Sequence, residues 1–125
     1  MIDFVKSMID KCHLQTGKRP QWWDGKKLPF TDNGFDWIIS FSVFLHVPPE
    51  DLYNVFKEHV RVCKKYFFIA TFTGTDRRLA KHCFFHDYET LFEMFELDIR
   101  DSKTYWDKRT NWLLAKRREG SKCIL

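Results

Sequence analysis

Leu28-Pro-Phe-Thr-Asp-Asn-Gly-Phe-Asp-Trp-Ile-Ile-Ser-Phe-Ser-Val-Phe-Leu-His-Val-Pro-Pro-Glu-Asp-Leu52 decides how the rest of this chain is read. Three signals follow one another in it. Thr31-Asp-Asn-Gly34 is a turn, since short polar side chains and glycine accept the backbone angles that a reversal needs. Phe35–Phe41 (FDWIISF) is apolar on both alternating faces except at Asp36 and Ser40, the pattern of a central parallel strand covered by helices on each side. Pro49, followed by Glu50 and Asp51, then opens a helix, because proline tolerates the first turn and carboxylates favour the positive end of the helix dipole.

Toward the carboxyl end, Leu52, Val55, Phe56, Val60 and Cys63 recur at helical spacing as one buried stripe. Tyr66–Phe72 (YFFIATF) is a second two-faced strand, and Asp87 caps a helix whose inward side is Tyr88, Leu91, Phe92 and Phe95. Two polar strands near 97–106 and 110–116 have no helix between them and are expected to pair antiparallel through the Asp107-Lys108-Arg109 turn. Toward the amino end, Pro20–Trp23 is a short aromatic strand closed by the Asp24-Gly25 turn. Ile2, Val5, Ile9 and Cys12, with Met8 beside them, form an amphipathic helix stopped by Gly17. Strands alternating with helices predict an α/β layer with parallel inner strands.

With 125 residues the chain fits one domain, read as an opening helix (1–19), a main region (20–118) and a tail (119–125). Hydrophobic residues at 44% and aromatics at 18% exclude a disordered chain. The four cysteines lie far apart without a C-x-x-C pair, so no disulfide framework is expected and a reducing compartment is favoured. Early charges speak against a signal peptide and no apolar run is long enough to cross a bilayer, which places the chain in the cytoplasm without a membrane partner. Cys123 is third from the end, which rejects a prenylation box. The Lys116-Arg117-Arg118 run with Lys122 reads as a solvated tail face rather than a nucleic-acid patch. Trp22, Trp23 and Trp37 read as core rather than as a base-stacking platform. His82, Cys83 and His86 offer three metal-ligand types, but beyond Cys12-His13 nothing completes a fourth at recognisable spacing, so no metal is assigned.

The quoted run resembles a stretch shared by class I S-adenosylmethionine-dependent methyltransferases of the type 11 and ubiquinone-biosynthesis group. There, Leu-Pro-Phe, an acidic turn, Phe-Asp, an apolar strand and His-Val precede the next helix. Glu58-His-Val-Arg-Val-Cys-Lys-Lys65 is similar to the group's Glu-x-x-Arg-Val-Leu-Lys-Pro-Gly helix end, with Lys65-Tyr66 in place of Pro-Gly. The resemblance implies an α/β fold, a partial Rossmann-like sheet that is mostly parallel with an antiparallel terminal strand. In the family order 3-2-1-4-5-7-6, Pro20–Trp23 would be strand 3 and Phe35–Phe41 strand 4, with strands 1 and 2 missing. The family's cofactor lies across the carboxyl ends of the strands at the switch point. Its Gly-rich loop has no counterpart here: no G-x-G-x-G occurs, and the five glycines stand singly. The family's ribose-binding acid at the end of strand 2 would be missing with that strand.

Site residues follow from the same resemblance. Asp24 matches the acid that accepts from the adenine amino group, with Gly25 in the same turn, although a plain turn-forming aspartate is the alternative. Leu28 and Phe30 match apolar neighbours of the adenine, or else plug the loop. Ser40, Phe41 and Ser42 would face the methionine part of S-adenosylmethionine through backbone groups. His46 would face substrate and is a weak candidate for a general base, against a packed histidine; His82 and His86 would lie on a substrate-side loop. The function implied is methyl transfer to an unidentified small-molecule acceptor, impaired in the absence of the loop. The alternative is a non-catalytic interaction module or half of a split enzyme, in which the sheet edge beside strand 4 takes a partner chain or a second copy.

Overall fold

The computed structural model describes residues 1–3, 5–72, 81, 83–104 and 110–120. In chain order the elements are β1 (Ile2–Asp3), α1 (Lys6–Thr16), β2 (Gln21–Trp22), β3 (Phe35–Phe41), a 3-10 turn (Phe44–His46), α2 (Pro49–Val62), β4 (Cys63–Phe72), α3 (Tyr88–Met94), β5 (Leu97–Thr104) and β6 (Thr110–Arg117). No helix among the described residues is long and apolar enough to cross a membrane.

Local chemistry sets the helix ends. Gly17 closes α1 at φ 71°, a left-handed conformation that costs glycine little, and its N–H donates to His13 O at 2.8 Å. Pro49 and the acids Glu50 and Asp51 occupy the first turn of α2. Asp87 caps α3 by accepting from the Thr90 N–H at 3.0 Å. The opening helix is shorter than its periodicity predicts. Ile2 and Asp3 instead form β1, which pairs in parallel with β2 (Ile2 with Gln21, Asp3 with Trp22).

The main sheet has the order β3-β4-β6-β5. β3 and β4 are parallel, while β6 runs antiparallel to both β4 and β5. Three of the four strands therefore share one direction and β6 alone opposes them, as expected for the last strand. The turn expected at 107–109 lies outside the described residues.

Three expectations need correction. Phe35–Phe41 is an edge strand of this sheet, not a central one. Its Trp37, Ile39 and Phe41 are 50%, 60% and 67% exposed, because α2 and α3 cover only the opposite face and no described helix lies on this one. Trp22 is likewise half exposed, so of the three tryptophans read as core only Trp23 is buried. Cys63 also leaves the predicted helical stripe: it is at once the C-cap of α2 and the first residue of β4. With Lys65-Tyr66 where the family pattern has Pro-Gly, no loop separates helix from strand.

The core fills the covered side. Phe56 of α2 meets Phe67, Phe92 and Phe95 at centroid separations of 5.2, 5.5 and 5.3 Å. Such tilted ring pairs add to the area they remove from water. On the bare side Trp37 stacks on Tyr66 at 4.4 Å, and Phe68 lies between Phe41 (5.9 Å) and Trp112 (5.8 Å).

Candidate functional site

The loop after β2 is held by two side chains of α2, Arg61 and Glu58. Arg61, in the last turn of α2, donates from Nε to Glu58 Oε1 (2.8 Å) and from Nη2 to Glu58 Oε2 (3.0 Å). It also donates to the carbonyls of Phe30 (2.8 Å) and Leu28 (3.0 Å) and to Asp32 Oδ1 (2.7 Å). Glu58 Oε2 in turn accepts from the Leu28 N–H at 2.7 Å. The Leu-Pro-Phe motif and the Glu-x-x-Arg motif are thus two halves of one clip. The Arg61 hydrogen bond is the main reason the Glu58 carboxyl titrates below its ordinary value, against an opposing burial effect.

The clip presents Leu28, 3% exposed, to an apolar cavity of about 430 Å³ between β1 and β3. Asp3 lines its rim on one side; Ser40, Phe41, Ser42 and His46 line it along and beyond the carboxyl end of β3. Ser42 holds φ 52°, unusual outside glycine, while its N–H donates to Ala70 O at 2.8 Å. That conformation turns the chain away from the sheet as β3 ends. A second cavity adjoins the first and shares Trp23, Val43 and His46 with it.

The candidates from sequence divide between the two. Leu28, Ser40, Phe41 and Ser42 line the first cavity; Asp24 and Gly25 line the second, where Asp24 Oδ1 accepts from the Lys26 N–H at 2.9 Å. His46 faces both, with Nδ1 3.9 Å from Cys83 Sγ. His86 Nε2 lies 3.0 Å from the carbonyls of both Phe44 and Val47, so it carries a proton and straps its loop to the 3-10 turn. Burial lowers its pKa, with the two carbonyls opposing. His82 lies outside the described residues. Among the described residues, no group of three metal-ligating side chains comes together.

Two residues escaped the sequence reading. Asp3 ends β1 beside the first cavity, its Oδ1 accepting from the Val5 N–H at 2.8 Å. This corrects the expectation that all of strand 2 is missing: β1 lies where the end of that strand would lie, parallel to β2. A two-residue strand has no period to detect. His59 is 7% exposed in the wall of the same cavity, with Nδ1 2.8 Å from Val55 O. Its spacing from Val55 and Val62 placed it on the inner face of α2, a signal obscured by its polarity.

The spatial order β2-β1, cavity, β3-β4-β6-β5 matches the family order with a gap at strand 1. A family model described as a methyltransferase domain matches residues 1–69, more than half of the 125 residues. The chain belongs to this methyltransferase family. Among solved structures, the domain is similar to a putative methyltransferase of Haloferax volcanii in complex with the Trm112 methyltransferase activator (14% identity, TM-score 0.72), with 92% of this chain covering 70% of that one. It is also similar to the PH0226 protein of Pyrococcus horikoshii (15% identity, TM-score 0.70, 94% of this chain and 70% of that one). A SAM-dependent methyltransferase from Aquifex aeolicus gives 18% identity and a TM-score of 0.68, over 94% of this chain and 67% of that one. At such identities the likeness shows the methyltransferase fold. A search of curated protein sequences gave no match.

Proposed function

We propose that this methyltransferase domain holds the adenosine half of S-adenosylmethionine and contributes one part of a methyl-transfer site for a small-molecule acceptor. The observation that carries the reading is the pair of carboxylates Asp3 and Asp24. They lie at the carboxyl ends of the adjacent parallel strands β1 and β2, beside cavities that share His46 and Val43. Each commits one oxygen to a nearby backbone N–H, and the second oxygen has no hydrogen-bond partner among the described residues. That donor set fits a ribose and an amino-substituted base: Asp3 would accept from hydroxyls and Asp24 from an amine, with Leu28 as the apolar neighbour of the ring. The methionine half would be less well served, because the glycines stand singly and Ser40, Phe41 and Ser42, which line the first cavity, would have to meet it. When bound, the cofactor supplies an electrophilic methyl group; the protein's task is alignment and the exclusion of water. His46, which lines both cavities, would meet an acceptor.

Calorimetry with S-adenosylmethionine tests this. The chain alone is expected to bind weakly, with D3N and D24N weakening it further. Unchanged affinity in both variants would remove the site, and low-micromolar binding by the chain alone would overturn the view that it is impaired.

A second reading, an interaction module or half of a split enzyme, is favoured by the bare apolar side of β3. Trp37, Ile39 and Phe41 are each at least half exposed beside an outer strand edge that pairs with no described strand. Sedimentation showing a monomer at all concentrations would count against a self-association version of it.

A further inference from the structure

The bare side of the main sheet is ordered in rows. Strand pairing sets Trp37, Tyr66, Lys116 and Asp98 side by side across β3, β4, β6 and β5. The next row is Ile39, Phe68, Leu114 and Asp101, and the third is Phe41, Ala70, Trp112 and Lys103. In β4 these residues alternate with the buried Phe67, Ile69 and Thr71, so the rows stand on the face that α2 and α3 leave uncovered. The rings are already fixed against one another, Trp37 on Tyr66 at 4.4 Å and Phe68 between Phe41 and Trp112. A partner meeting them would have few side chains to order, which lowers the cost of binding.

The size of the patch suits a pair of copies. Trp37 and Phe41 are 50% and 67% exposed, which at about 200 Å² per aromatic side chain leaves roughly 230 Å² of ring in water. Ile39, 60% exposed, and the half-buried Tyr66, Phe68, Trp112 and Leu114 bring the patch to about 500 Å², in the upper part of the range for a monomer. Val5 and Met8, which share a cavity wall with Trp37, Ile39 and Phe41, extend it further. Two such patches face to face remove about 1,000 Å² from water, the threshold for a specific interface.

The charges select the occupant. Lys103 and Lys116 balance Asp98 and Asp101 in these rows, so the face offers no net sign for a strongly acidic or basic partner to answer. It is complementary to itself. Turning one copy about an axis along the Ile39–Phe68 row reverses the strands and sets Trp37 of each copy over Phe41 of the other, Tyr66 over the small Ala70, and Asp98 over Lys103. Asp101, near the axis on the outer strand, meets its own copy. We propose that a second copy of this chain seats on this face about such a two-fold axis, closing a dimer through the bare sides of β3, β4 and β6. That dimer rests on the second reading above, in which this side is an interface, and not on cofactor binding.

Sedimentation equilibrium of the full chain should show monomers and dimers exchanging in the micromolar range, because the area is small. I39E places a carboxylate at the centre of the contact and should weaken the dimer at least about tenfold, with its thermal melt unchanged. L14E introduces the same charge at a site 85% exposed outside the patch and should leave the dimer intact. D101N removes the like-charge contact near the axis and should tighten the dimer severalfold, although it adds to the net charge of +4. A wild-type chain that stays monomeric overturns the proposal, as do assemblies larger than two. So does a dimer that ignores I39E, that L14E disrupts equally, or that D101N loosens. Acrylamide quenching of W37F against wild type divides the monomeric case. If Trp37 is open to the quencher, the second copy is wrong and the face is left to another partner; if it is shielded, the interface reading falls as well.

Discussion

Replacing Arg61 by methionine, which keeps the stem and deletes the guanidinium, tests the clip that positions the cavity floor. The substitution removes five hydrogen bonds: two to Glu58, one each to the carbonyls of Leu28 and Phe30, and one to Asp32. The Asp32 contact counts least, since that side chain is 74% exposed and exposed pairs contribute about 0–1 kcal/mol. The Glu58 pair is different, with side chains 17% and 16% exposed, and removing one partner of a largely buried pair costs about 3–5 kcal/mol. The freed carbonyls would add to this, but an opened loop lets water reach them. We therefore expect R61M to lose about 3–4 kcal/mol of stability, a large share of the roughly 5–15 kcal/mol that a domain of this size possesses. Equilibrium urea denaturation followed by circular dichroism measures it. E58Q combined with R61M should cost less than the two singly, by about 1–3 kcal/mol of coupling. Acid supplies a second reading. Because the folded-state pKa of Glu58 lies below 4.5, its contribution is present above that pH and is lost as pH falls through the folded value; R61M should shrink that dependence. An R61M chain within about 1 kcal/mol of wild type, or strictly additive costs, would refute the clip.

Other outcomes follow from single residues. His59 has a folded-state pKa below 6.5, so the unfolded chain takes up its proton first; stability should fall as pH drops below 6.5, and H59F should flatten that slope in thermal melts. G17A should cost about 1–2 kcal/mol in urea titrations, since φ is 71° and no neighbour within 4 Å compensates or clashes; no loss would mean that the helix ends elsewhere. I39T, at a site 60% exposed, should change stability by no more than about 0.5 kcal/mol while weakening any self-association seen by sedimentation. A large loss would show that this face is covered.

Much of this architecture was legible because its signals are local. The proline and acids at the start of α2, the Asp87 cap and the Gly17 stop each act within one turn, and each appears where its chemistry requires. The edge position of β3 was not legible. FDWIISF carries apolar residues on both faces whether or not a helix covers each of them, so the pattern records what the strand can bury and not what surrounds it. Asp3 was hidden by the brevity of β1, and His59 by a pattern that counts only apolar residues on an inner helix face. The division of the candidate residues between two cavities was not legible, because it depends on the path of the Asp24–Leu28 loop, which the distant Glu58 and Arg61 hold.

The direct passage from α2 into β4 at Cys63 has a mechanical consequence. Arg117 of β6 donates to the Cys63 carbonyl at 2.8 Å and to Asn33 Oδ1, while the Asn33 N–H donates to Arg61 O at 2.9 Å. Helix end, strand start, the 28–33 loop and the last strand are thereby knotted within a few residues of one another. Such a knot should not loosen strand by strand: the Leu28 and Asn33 amides should exchange their hydrogens only when the whole sheet opens, which makes this junction a gauge of the domain's global unfolding.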